Sequence, residues 1–164
     1  MTDGLTPVLS RVRGGDVLVD TNILLMYIVG TLDPQLIPMF KRTKMFTRDD
    51  YTILCRFLQH FRSIITVPNI LTEVSNLAGQ MAEPRRTRVF QIFSQAVQVI
   101  REQYIQSTIA AEDSAFLRLG LTDVVIARIA EGRVLVLTDD FKLSQHLKRS
   151  GLDVVNFNHI RMVL

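Results

Sequence analysis

Short apolar runs alternate along the chain with longer stretches whose apolar residues recur every three or four positions. Val17-Leu18-Val19, Ile64–Val67, Val134–Leu137 and Val154–Phe157 are almost unbroken apolar runs rich in β-branched side chains, the pattern of strands buried on both faces. Between them the helical period predicts helices over Thr21–Val29, from near Asp49 to about Phe61, Asn69–Met81, Glu112–Leu119, Thr122–Glu131 and Asp140–Ser150. A short helical piece runs from Asp33-Pro34 to about Lys41. The longest helix is expected over roughly Arg85–Gln106, with Val89, Ile92, Phe93, Ala96, Val97, Ile100 and Tyr104 as its apolar stripe. Gly30, Gly120, Gly132 and Gly151 mark expected helix ends, and Pro84 a break.

Strands alternating with helices predict the α/β class: a three-layer α/β/α sandwich around a mostly parallel sheet of four to five strands, joined by right-handed crossovers. Residues 1–164 read as one domain, with a polar lead-in over 1–15 and a helical insertion over 31–63 between the first helix and the second strand. No repeat or low-complexity segment interrupts it.

A chain of 164 residues can bury a substantial core, and 48% hydrophobic with 21% charged residues excludes a disordered chain. No apolar stretch has the length of a membrane span; the longest candidate, Val17–Val29, is interrupted by Asp20 and Asn22. The first residues lack a signal-peptide layout. The single Cys55 excludes an internal disulfide and fits a reducing cytoplasm. Net charge is +3, with a pI near 9.4, which favours a polyanionic partner.

The candidate chemistry lies in four acids. Asp20 ends the first apolar run, and parallel sheets bind ligands beyond the carboxyl ends of their strands. Asp140 follows the third run, in Thr138-Asp139-Asp140. Asp123 opens the helix carrying Val124, Val125, Ile126 and Ile129, and Glu73 sits about one turn into the helix after the second run. Four carboxylates at one sheet edge repel each other unless a divalent cation holds them. Helix capping is the alternative for Asp20, Asp123 and Asp140 taken singly, and a solvated helix face for Glu73.

The segments Val-Leu-Val-Asp20-Thr21-Asn22, Ile70-Leu71-Thr72-Glu73, Leu121-Thr122-Asp123-Val-Val-Ile-Ala127 and Val-Leu-Thr138-Asp139-Asp140 resemble, in order and context, those of the PIN-domain ribonucleases, most closely the VapC-like toxins of prokaryotic toxin–antitoxin pairs. The resemblance covers about residues 16–157. It implies an acidic pocket that binds Mg²⁺ or Mn²⁺ and cuts single-stranded RNA, with Asp20, Glu73, Asp123 and Asp140 as metal ligands and catalytic acids. Asn22, Thr138 and Asp139 then orient those acids. It also implies an antitoxin protein covering the groove and a homodimer. The longer lead-in and the 31–63 segment depart from the compact toxins.

Two other functions compete. One is a PIN-like module that binds RNA or protein without cutting; the other is a phosphatase of the haloacid-dehalogenase type, which needs a second aspartate where this chain has Asn22. Candidate RNA contacts are Arg85, Arg86 and Arg88, which oppose the macrodipole at a helix start, and Lys142 beside the last motif. Lys41, Arg42, Lys44 and Arg48 form a second basic stretch. Phe40, Phe46 and Phe61 are candidates for base stacking, with core packing as the alternative. His60, His146 and His159 show no metal-ligand spacing.

Overall fold

The computed structural model describes residue 10 and residues 14–162, so most of the 1–15 lead-in lies outside the described residues. Five parallel strands form the sheet: β1 (Asp16–Val19), β2 (Ser63–Thr66), β3 (Arg101–Glu102), β4 (Leu135–Thr138) and β5 (Val154–Asn156), in the order β3-β2-β1-β4-β5. Leu18 stands in the middle, paired with Ile65 on one side and Val136 on the other. All three are fully buried, as a sheet covered on both faces requires.

The chain reaches β2 from β1 through α1 (Thr21–Leu32), a 3₁₀ turn at Pro34–Leu36 and α2 (Arg48–Leu58). It reaches β3 through α3 (Pro68–Ala78) and α4 (Arg85–Val99). It then crosses back to β4 through α5 (Ser107–Ala111), α6 (Phe116–Leu119) and α7 (Leu121–Ala130). Helix α8 (Phe141–Arg149) leads to β5, and α9 (Phe157–Ile160) follows. Right-handed crossovers in opposite directions put α1 to α4 on one face and α5 to α8 on the other. Packing agrees: α1 contacts α2, α3 and α4, whereas α5 and α6 contact α7. The result is the expected α/β/α sandwich. The winding reverses between β1 and β4, so the crevice of the fold opens at the carboxyl ends of those two strands.

The structure corrects several element boundaries. The helix expected to reach Gln106 stops at Val99, and β3 follows it. Tyr104, assigned to that helix stripe, is 70% exposed. Gly30 does not end α1, which continues to Leu32; a β-carbon there would stand 2.3 Å from the Tyr51 ring, so the glycine serves close packing of the segment carrying α2. Gly132 is not the left-handed residue after α7; Arg133 is, at φ 62°.

The 31–63 segment is built into the core. Phe46 is buried edge-on against Phe157, which settles its role as packing, and Arg161 donates to Asp50 Oδ2 at 2.6 Å. Asp50 in turn completes a capping box with Thr47 at the start of α2. Among the described residues, no helix is long and apolar enough to cross a membrane.

Candidate functional site

Each acid is delivered by a local rule. β1 ends at Val19, so Asp20 emerges where α1 must begin, and its backbone N–H still donates to Leu137 O of β4 at 2.9 Å. The Asp20 side chain accepts from Thr21 N at 2.7 Å through Oδ1 and from Thr138 Oγ1 at 2.5 Å through Oδ2. Asp140 caps α8, accepting from Leu143 N at 2.9 Å. Thr138, fully buried at the end of β4, links these two acids: its hydroxyl donates to Asp20 and accepts from Asp140 N at 2.9 Å. Capping and a place in the site are therefore not alternatives, since Asp20 and Asp140 do both.

Asp20, Glu73, Asp123 and Asp140 line one cavity of about 400 Å³ at the β1–β4 crevice, together with Thr21, Asn22, Leu77 and the segment 119–122. Among the described residues, none that lines it is basic. Asp123 stands in the first turn of α7 and has no hydrogen-bonding donor among the described residues. Its carboxyl is pushed up to about 7, chiefly by burial and then by the charges of Asp20, Asp140 and Glu73. Asp20 is 8% exposed, and burial pushes its carboxyl up to about 6. The bonds from Thr138 and Thr21 pull the other way, while Asp139 and Asp140 add to the rise. The N-termini of α1, α7 and α8 all meet here, and their amide dipoles offset part of the negative charge.

Two hydroxyls missing from the sequence-based site orient Glu73. Thr21 Oγ1 donates to Oε2 at 3.0 Å and Thr122 Oγ1 to Oε1 at 2.8 Å. The signal for them was their adjacency to Asp20 and Asp123. Gly120, at φ 84°, turns the chain between α6 and α7 at the cavity wall, in a conformation that strains any side-chain-bearing residue.

Other candidates fall elsewhere. Asn22 lines the cavity but donates to Asp139, at 3.3 and 3.2 Å from its two oxygens, rather than to any of the four acids. Asp139 lies outside the cavity lining, its backbone carbonyl held by Asn158 Nδ2 at 3.2 Å. Lys142 is exposed on α8 and does not line the cavity. Arg86 stacks on Phe90, 5.1 Å from the ring centre, and approaches Glu83 at 3.6 Å. Arg85 and Arg88 line a second cavity, of about 560 Å³, beyond the end of α3.

The donor set is made of hard oxygens carrying up to four negative charges, which suits Mg²⁺, Mn²⁺ or Ca²⁺ rather than softer metals. Donor type and charge fit; spacing is another matter. Among the described residues, no group of three or more His, Cys, Asp or Glu side chains is arranged to hold a metal ion. Hydroxyl and amide donors already engage several of the acids' oxygens. A carboxylate offers about four lone-pair sites, so these bonds leave acceptor capacity for a cation. Neither family models nor curated protein sequences gave a match to this chain.

Proposed function

We propose that the protein is a divalent-metal-dependent endoribonuclease that cuts single-stranded RNA. The observation that carries this reading is that four carboxylates, from four separate segments, line one cavity with no basic lining residue among the described residues. Asp20, Glu73, Asp123 and Asp140 would hold Mg²⁺ or Mn²⁺. When bound, such an ion lowers the pKa of a water and polarises a phosphodiester.

The chain's own residues do the positioning. Thr138 holds Asp20 and Asp140 in register, and Thr21 and Thr122 fix the plane of Glu73. Asp123, without a donor and with its carboxyl raised, is the acid with most to gain from a counter-charge. The motif resemblance to PIN-domain ribonucleases points to the same chemistry. A toxin role, with an antitoxin and a homodimer, rests on that resemblance.

The test is cleavage of a labelled single-stranded RNA with Mn²⁺ by wild type and by Asp123→Asn. Manganese-dependent cleavage lost in the variant supports the reading; equal cleavage by both removes it. The open spacing of the acids favours a second reading, a PIN-like module that binds RNA or protein without cutting. RNA binding with no cleavage by wild type selects that one.

A further inference from the structure

The two cavities are lined by successive residues of α3 and of the chain just after it. Glu73 and Leu77, one turn apart on the same face, line the first cavity. Gln80 and Met81, just past the helix end, line the second. From Glu73 to Met81 is eight residues; α3 rises about 7.5 Å from Glu73 to its end at Ala78, and Met81 follows three residues later, on the order of 10 Å in all. A stacked strand with one charge per ~3.4 Å of axis crosses that gap in about three steps, and an extended one in fewer.

The second cavity differs from the first in chemistry. Its apolar lining includes Leu36, Phe40 and Met81, and its charged lining is Lys41, Arg85 and Arg88 against one acid, Glu83, which is engaged by Thr87 and Arg86. Among the described residues none of the three lining cations forms an ion pair or a side-chain hydrogen bond. Neighbouring cations are already engaged: Arg42 donates to Gln80 Oε1 at 2.7 Å, bracing the wall, and Arg86 lies on Phe90. Arg85 and Arg88 are three residues apart on one face of α4, with about 5–6 Å between their β-carbons. The volume is in the range of pockets that take a small ligand.

We propose that this second cavity is a nucleotide subsite: it seats a base of the RNA strand against Phe40 and Met81, while Arg85, Arg88 and Lys41 hold the adjoining phosphates. The assignment rests on the ribonuclease reading for its choice of RNA. The net positive lining and the nearness along the chain of Leu77 in one wall to Gln80 in the other support it. Flat aromatic and thioether surfaces suit the face of any base, and guanidinium groups suit phosphate oxygens. The subsite then draws the strand across an acidic cavity that repels phosphate by itself.

The experiment is binding of a fluorescein-labelled single-stranded RNA in EDTA, where no cleavage occurs, read by anisotropy across a salt series. Arg85→Ala/Arg88→Ala should weaken binding at least about ten-fold at low salt and flatten the log–log salt slope by about 1.4, two phosphate contacts. Phe40→Leu should weaken it about ten-fold with little change in slope. A control pair, Arg56→Ala/Lys148→Ala, removes the same charge from exposed sites outside the cavity. It should have a smaller effect.

The proposal is overturned by no RNA binding by wild type, by wild-type binding by the arginine pair variant, or by an equal loss in the control. Binding of a Glu-rich amphipathic peptide that depends on Phe40, with RNA binding that does not, also overturns it in favour of a protein partner. The two readings fail separately. RNA held through this cavity but never cleaved with Mn²⁺ sinks the nuclease alone; cleavage with cavity variants that bind normally sinks the subsite alone.

Discussion

Strand β1 opens on one aspartate and is followed at once by another, and the fold treats the two in opposite ways. Asp16 opens the strand among compensating groups: Ser63 Oγ donates to it at 2.6 Å, Arg101 at 2.9 Å and Arg62 at 3.2 Å. The Ser63 bond, helped by the two arginines, holds its carboxyl below the ordinary range. Asp20, four residues or about 13 Å further on, is buried beside Asp139 and Asp140 with no cation among the described residues, and burial first, then those acids, raises its carboxyl. One strand thus opens on a carboxylate that stabilises the fold and leads into another that the fold must hold against its own preference. Burial of a carboxylate relieved by two hydrogen bonds but by no described cation makes Asp20 a candidate for chemistry rather than for stability.

The contrast breaks most directly on activity. If the carboxyl-end acids bind the catalytic metal, Asp123→Asn lowers Mn²⁺-dependent RNA cleavage by more than about 100-fold, beyond what orienting residues lose. Asp16→Asn, at the other end, stays within about two-fold of wild type; initial rates on one labelled RNA compare them. Thr138→Val removes the hydroxyl that joins Asp20 to Asp140, and Mn²⁺ affinity, read by calorimetry, should fall about 10- to 100-fold.

Stability sharpens the same comparison. In the metal-free protein Asp20 and Asp123, with values of about 6 and about 7, take up protons well above the pH at which the unfolded chain does. The folded state therefore binds more protons than the unfolded state between about pH 7 and pH 4, and stability rises as pH falls through that window. Thermal melts in EDTA from about pH 8 to pH 5 check the sign. Asp16 works in the other direction: its contribution is present above its ordinary value of 3.8 and is lost only as pH falls through its lower folded value. A melting temperature that falls steadily across the window contradicts the electrostatics described here.

The smallest effects are the stability changes of the single variants. Asp123→Asn, which removes repulsion and strands no donor, should stabilise the metal-free protein at pH 8 by on the order of 1 kcal/mol, discounted because the group is partly exposed. Asp16→Asn should cost about 1 kcal/mol, since it weakens a partly exposed cluster. Urea titrations give both. Asp20→Asn is a poor probe of this kind, because an amide nitrogen there would face either Thr21 N–H or the Thr138 hydroxyl.

Much of this layout was legible along the chain. Strand cores are unbroken apolar runs wherever a sheet is covered on both faces, so β1, β2, β4 and β5 announce themselves, and Asp20 and Asp140 stand out as the charges that end two of them. The α/β/α architecture, with four of its five parallel strands, follows from that alternation. Edge strand β3 was not legible, because two exposed residues pair with β2 through backbone bonds that leave no side-chain pattern. Gly30 read as a helix end because its reason for being glycine, the Tyr51 ring, is distant in sequence.

The same divide runs through the site. That acids sit at strand ends and first helical turns is a local property, written in the period of their neighbours. That Thr21 and Thr122 grip Glu73, that Asn22 turns to Asp139, and that Arg85 and Arg88 face a separate cavity depend on how α1, α3, α4 and α7 lie against one another. Local periodicity records which face of an element is buried; it carries no record of which neighbour that face will meet, and hydrogen bonds a few ångströms long are set by that meeting.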